Sequence, residues 1–155
     1  IGMFMRAASE QSYQQMLMRK ALEGETVERF MNKDPVTVNP GTKLNELVEN
    51  YVYKYHFKMY PVVEDSKPRG CVHLKQVKDI SRDEWPNRSV SDIMDQCSDK
   101  NTIDINTDAV KALSRMRKND MSRIVVTSDS KLAGGISLKD LMNFLSLKVD
   151  LEEEQ

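Results

Sequence analysis

The sequence predicts an α/β fold of the α+β type: two β-α-β-β-α repeats stacked by their sheets with pseudo-two-fold symmetry, preceded by a connector helix. Three observations predict it. Residues 70–76 read GCVHLKQ and residues 134–140 read GGISLKD, one phrase written twice. VERFM at 27–31 is echoed by VSDIM at 90–94. Between these markers each copy keeps one order: a short β-rich run, an amphipathic helix, two apolar strands about a polar turn, and a final helix. A copy of about 60 residues buries too little apolar surface to be comfortably stable alone. Stacking two sheets face to face supplies a shared core and leaves two related crevices between the halves.

The elements divide the chain into a connector helix (1–24), a first repeat (25–84), a second repeat (85–150) and an acidic tail (151–155). Residues 3–23 contain neither Pro nor Gly and end at Gly24, a usual helix stop. In the first repeat VTV (36–38) is β-rich, and Leu44, Leu47, Val48, Tyr51, Val52 and Tyr55 recur on one helical face. MYPVVED (59–65) then reads as a strand, SKPR as a turn, and residues 75–80 as a weak helix. SRDEWPNRS (81–89) has the charge and proline content of an exposed connector. The second repeat gives TIDI (102–105), a helix carrying Ala109, Val110, Ala112, Leu113 and Met116, the strand RIVVTSD (123–129), and the strong helix LKDLMNFLSL. LEEEQ reads as a frayed tail.

Composition removes several function classes. There are 23 basic and 24 acidic residues, so the basic excess of a nucleic-acid binder is absent. Cys71 and Cys97 form no CxxC pair, and His56 and His73 form no HExxH motif, which disfavours a metal site or Ser/His catalysis within this chain. No nucleophile–base pair is visible. The opening IGMFM is far shorter than the roughly 20 apolar residues that span a bilayer. It also lacks a signal peptide's basic flank, and the expectation is a fragment cut just after an apolar segment.

The chemistry concentrates in the repeated phrase. Ser137 and Asp140 stand where a strand gives way to a helix, and two readings share that geometry. In the first they form a capping box for orphan backbone N–H groups. In the second the helix N-terminus and the Ser137 hydroxyl face a phosphate, the Asp140 carboxylate accepts both hydroxyls of a ribose, and Gly134 and Gly135 let backbone approach a ligand. The first copy carries His73 and Gln76 at these positions. It loses the hydroxyl and the negative charge, so that crevice is expected to be weakened or repurposed.

The repeat order, VSDIM, the YPVVED strand and the G-x-S-x-x-D ending together resemble a tandem pair of CBS domains, or Bateman module, over residues 27 to about 147. The resemblance implies sheet-stacked repeats, further association into a homodimer, and an adenosine-containing ligand in a cleft: AMP, ADP, ATP or S-adenosylmethionine. It implies Ser137 as phosphate contact, Asp140 as ribose contact, Thr102 and Ile103 along the same cleft, and Gly135 beside the ligand. Arg123 matches a position that is often basic and would neutralise phosphate; alternatively it is a solvated charge at the start of a strand.

The stretch IGMFMRAASEQSYQQMLMRKALEGETVERFM resembles the segment joining the last transmembrane helix to the CBS pair in site-2-type intramembrane zinc metalloproteases. That implies a regulatory tail on the cytoplasmic face of the membrane, with the transmembrane protease domain and its zinc upstream. The competing expectation is a ligand-free dimerisation module in which Ser137 and Asp140 serve only as caps.

Overall fold

The computed structural model describes residues 16–153. The connector helix is helical at 16–22 (α1); its earlier part, like residues 154–155, lies outside the described residues. Gly24, at φ +84°, turns the chain away in the left-handed conformation that glycine adopts without a Cβ clash. A single turn, α2 (Val27–Phe30), follows.

The amphipathic helix of the first repeat runs unbroken as α3 (Leu44–Leu47), a π-helical turn (Val48–Val52) and α4 (Tyr53–Tyr55), and stops at His56, whose φ is 65°. The face expected to be apolar does turn inward at Leu44, Leu47 and Val48. At its far end the Tyr60 hydroxyl donates to the Tyr51 carbonyl at 3.0 Å and accepts from the Phe57 N–H at 3.2 Å. Strands β1 (Met59–Glu64) and β2 (Lys67–His73) form an antiparallel hairpin, and α5 (Leu74–Lys78) leaves its end.

The SRDEWPNRS segment is not a free connector. Residues Arg82–Asn87 form a 3-10 helix, and Trp85 packs against the first core while its Nε1 donates to the Ile80 carbonyl at 3.0 Å. One large aromatic ring there outweighs the polar composition around it.

The second repeat supplies α6 (Val90–Ile93), β3 (Asp95–Gln96), β4 (Thr102–Asp104), α7 (Ala109–Lys118), β5 (Arg123–Ser128), β6 (Lys131–Ser137) and α8 (Leu138–Glu153). α8 continues through residues 151–153, where charge content alone suggested fraying. Both hairpins turn through Asp-Ser pairs with positive φ, Asp65–Ser66 and Asp129–Ser130. Such primed turns match the right-handed twist of the strands they join.

The strands form two three-stranded sheets, ordered β1-β2-β3 and β4-β5-β6. The openings of the repeats are exchanged between them. β3 comes from the second opening yet pairs with β2, with Gly70 opposite Gln96. Asn32 comes from the first opening yet bridges Gly135 on β6, each N–H donating to the other's carbonyl at 2.7 and 3.0 Å. The cores follow the exchange. Val27, with Phe30 and Met31 beside it, packs among Ile103, Leu113, Ile124, Ile136 and Leu141 of the second repeat. Val90, with Ile93 and Met94, packs among Leu44, Leu47, Tyr60 and Val72 of the first.

This exchange explains two glycines of the repeated phrase. A Cβ on Gly70 would strike the Asp95 carbonyl, and one on Gly134 would strike the Asn32 carbonyl. Gly134 was expected to make room for a ligand; what lies against it is the exchanged backbone. Between the sheets, Met59, Cys71 and Val125 form a small buried seam with Leu132 beside it.

Candidate functional site

The crossing of the openings creates two related clefts, one beside each β-hairpin. The cleft beside β6 has a volume of about 500 Å³. One wall is the start of α8 with Ser137, Lys139, Asp140 and Asn143; the other is the first opening, at Asn32, Pro35 and Val36. Met59, Pro61, Ile124 and Ile136 give it an apolar floor, and Tyr55, Phe57 and Arg123 stand at its mouth. The volume lies inside the roughly 300–1,000 Å³ range of small-molecule sites.

The Ser137 side chain is buried, and its Oγ accepts the Asp140 N–H at 3.1 Å. One half of the expected capping box is therefore present, without a reciprocal bond from the Ser137 N–H to the Asp140 carboxylate, and the hydroxyl proton stays available to donate. The Asp140 side chain makes no hydrogen bond or ion pair to a described residue, and it is exposed. It is held at the mouth of a helix of 16 residues, whose positive end favours an anion. The Arg123 guanidinium lies over the Phe57 ring, 4.0 Å from its centroid, and Tyr55 stacks on Phe57 with an interplanar angle of 12°. A cation held on an aromatic face has lost much of its rotamer freedom beforehand. Burial pushes the Tyr60 hydroxyl above the usual tyrosine range, against the opposing charge of Arg123.

Ser137, Asp140, Arg123 and Gly135 thus meet in one cleft. Thr102 and Ile103 do not line it. Ile103 is buried in the second core, and Thr102 pairs with Val125 while its hydroxyl donates to the Ser98 carbonyl at 2.7 Å. The cause is the exchange: the segment reaching this cleft is Pro35–Val36 of the first opening. The residues just before Thr102, Lys100 and Asn101, line the other cleft. Tyr55 and Phe57 were also missed as site residues. Their aromatic character at a helix end was the available signal, though it reads equally as core packing.

The second cleft, about 640 Å³, contains His73, Lys75, Asp95, Gln96 and Asn119. Gln76 is not in its lining; its Oε1 accepts the His73 N–H at 2.8 Å and so caps α5. Burial pushes the His73 imidazole below its usual range, partly offset by Asp95, whose carboxylate lies 3.7 Å from Nε2. His73 is therefore neutral near pH 7, when it attracts no phosphate.

The family model for the CBS domain matches residues 27–83 and 90–147. The chain belongs to the CBS domain family. Its pair of CBS domains superposes on that of a bacterial CNNM/CorC family Mg2+ transporter solved in complex with ATP, with TM-score 0.72 and 20% identity, over 88% of this chain and 97% of that one. It also superposes on CBSX2 in complex with AMP, with TM-score 0.69 and 20% identity, over 82% and 99% of the two chains. By sequence it is similar to the zinc metalloprotease MJ0392 of Methanocaldococcus jannaschii, 23% identical over 154 residues. That match takes in 99% of this chain and only 42% of the relative's length.

Among the described residues, no group of three or more His, Cys, Asp or Glu side chains is placed to hold a metal ion. Nor is any described helix long and apolar enough to cross a membrane.

Proposed function

We propose that this CBS pair is a regulatory module that binds an adenine nucleotide in the Ser137–Asp140 cleft. The observation that carries the reading is the meeting of four complementary groups in one cavity. A buried hydroxyl and a helix N-terminus suit a phosphate, Arg123 supplies a preset positive charge, and the unengaged Asp140 carboxylate suits a ribose diol. The apolar floor of Met59, Pro61 and Ile124 suits a base. Structural neighbours solved with ATP and with AMP support this ligand class. S-adenosylmethionine, which offers no phosphate to Arg123 and Ser137, uses less of the cleft.

The likeness to a zinc metalloprotease supports a further step: the module forms the regulatory tail of a membrane-bound protease at the cytoplasmic face, with zinc held in the protease domain upstream. That it works as a homodimer is proposed from the CBS pair alone. Because the first opening forms one wall of the cleft and the second repeat forms the other, a ligand that prefers one spacing of the walls biases the position of α1 and whatever α1 joins. The bias can be no larger than the ligand's preference between the two states.

Thermal unfolding with AMP, ADP, ATP and S-adenosylmethionine tests the reading. A nucleotide at about 100 times its Kd adds roughly 2.7 kcal/mol, a rise of several degrees for a chain of this size. The expected result is a rise with adenine nucleotides that Asp140→Ala removes while leaving the unliganded fold intact. Absence of a rise with every ligand overturns the reading in favour of a scaffold that only dimerises.

A further inference from the structure

Between the two clefts lies a third concavity of about 560 Å³. It is continuous with both: it shares Met59 and Arg123 with the Ser137 cleft, and His73, Lys75 and Asp120 with the other. Lys58, Lys75, Lys78 and Arg123 line it, against the single carboxylate of Asp120, with His73 neutral for the reason given above. None of the three lysines makes an ion pair with a described residue.

Their placement follows from the fold. Lys58 immediately precedes β1, and its carbonyl accepts the Leu74 N–H at 2.8 Å, so it stands beside the start of α5. Lys75 and Lys78 lie one helical turn apart on α5 and so share a face. In the second repeat the Ser122 carbonyl accepts the Leu138 N–H in the same way, so Ser122 occupies the place of Lys58. By the same correspondence Met142 occupies the place of Lys78. The added cations, Lys58 and Lys78, therefore belong to the repeat whose own Ser/Asp pair is absent, and they line a groove that meets the cleft that keeps it at Met59 and Arg123.

We propose that this central groove receives the terminal phosphates of a nucleotide bound in the Ser137 cleft, so that the module selects nucleoside di- and triphosphates over the monophosphate. The inference rests on the nucleotide reading above. Arg123, common to cleft and groove, meets the first phosphate, and Lys58, Lys75 and Lys78 meet those beyond it. The fold does not decide this by itself, since one neighbour was solved with ATP and another with AMP. Charge does. Each added phosphate brings further negative charge and acceptor oxygens to a groove of unpaired ammonium groups. The first repeat has on this account exchanged a ribose-binding phrase for a phosphate-reading one.

Isothermal titration of the whole chain with AMP, ADP and ATP, without added divalent cation and at fixed ionic strength, tests it. The expected order of affinity is ATP, then ADP, then AMP, with ATP about tenfold tighter than AMP, roughly the effect of one charge-assisted hydrogen bond. Lys58→Ala/Lys78→Ala should bring ATP to within about twofold of AMP and leave AMP itself unchanged. Lys131→Ala, a charge at the distant hairpin turn, should change neither. Equal affinity for AMP and ATP overturns the groove and leaves the nucleotide reading standing. So does an ATP advantage that survives the double substitution. Failure of all three nucleotides to bind overturns both. These lysines are exposed, and a thermal melt of the double variant confirms that it folds.

Discussion

The two clefts are built by one topology and differ in which group caps the helix beside them. Beside β6, Ser137 caps α8 through its side chain, and the carboxylate three residues on remains available. Beside β2, the side chain three residues on does the capping, so Gln76 is held against the His73 N–H and its own polar tip does not line the cleft. A second difference sits on the strands. Gly135 lines the Ser137 cleft, whereas its counterpart Cys71 fills the same position with a buried thiol in the seam between the sheets. A helix needs its orphan N–H groups satisfied, and either residue of the pair can do it. The choice determines whether the other is left for a ligand.

The largest expected effect tests what the clefts have in common. Gly134→Ala and Gly70→Ala should each destabilise the chain by about 1–3 kcal/mol or more in urea unfolding, because the obstructing atoms are backbone carbonyls of the exchanged openings. Small effects from both would break the claim that the exchange holds the halves together.

The next separates the clefts directly. Asp140→Ala should lower nucleotide affinity at least tenfold, the loss of about one charged hydrogen bond. Gln76→Ala should leave affinity unchanged in the same titration and lower stability by about 0.5–1 kcal/mol, as loss of a cap does. Gly135→Ala sharpens the contrast. Its Cβ would meet the Pro35 Cβ at 3.5 Å and the Ile124 carbonyl oxygen at 3.9 Å, both ordinary contacts, so the fold should survive while the added methyl group intrudes on the cleft and weakens binding.

The smallest effect concerns pH. Burial holds the His73 imidazole below its unfolded value of about 6.5. The unfolded chain therefore binds the proton more readily. His73 causes no loss of stability above the unfolded value, and stability falls as pH drops below it toward the folded value. His73→Gln should flatten that fall in urea unfolding at pH 7.5 and 5.5. An unchanged slope would show that Asp95 compensates the burial fully.

Much of this was legible in the residues. The repeat was visible because the strand–helix junction uses few residue types, and the same phrase recurs wherever the same junction is built. The hairpins, the buried face from Leu44 to Val48 and the helix from Ala109 follow from alternation and 3.6-residue periodicity. Ser137 and Asp140 could be singled out because hydroxyl and carboxylate at that spacing have a physical meaning whatever surrounds them. Trp85 was misplaced because composition averages over a segment, while a single indole can anchor it.

Local sequence therefore determined the hairpins and main helices of each repeat, the family and the two residues at the start of α8. It did not determine β3 or the 3-10 helix at Arg82–Asn87, and VTV (36–38) makes only a bridge from Val38 to Val62. The tertiary structure alone decided which opening lies against which hairpin. That choice comes from burial and backbone pairing between segments about a hundred residues apart, as for Asn32 and Gly135, and no local pattern encodes it. It moved Thr102 and Ile103 out of the cleft, brought in Pro35, Val36, Tyr55 and Phe57, and gave Gly134 a backbone neighbour. It also placed Lys58 and Lys78 on a groove continuous with Arg123, because only the stacking of two sheets joins charges that lie far apart along the chain.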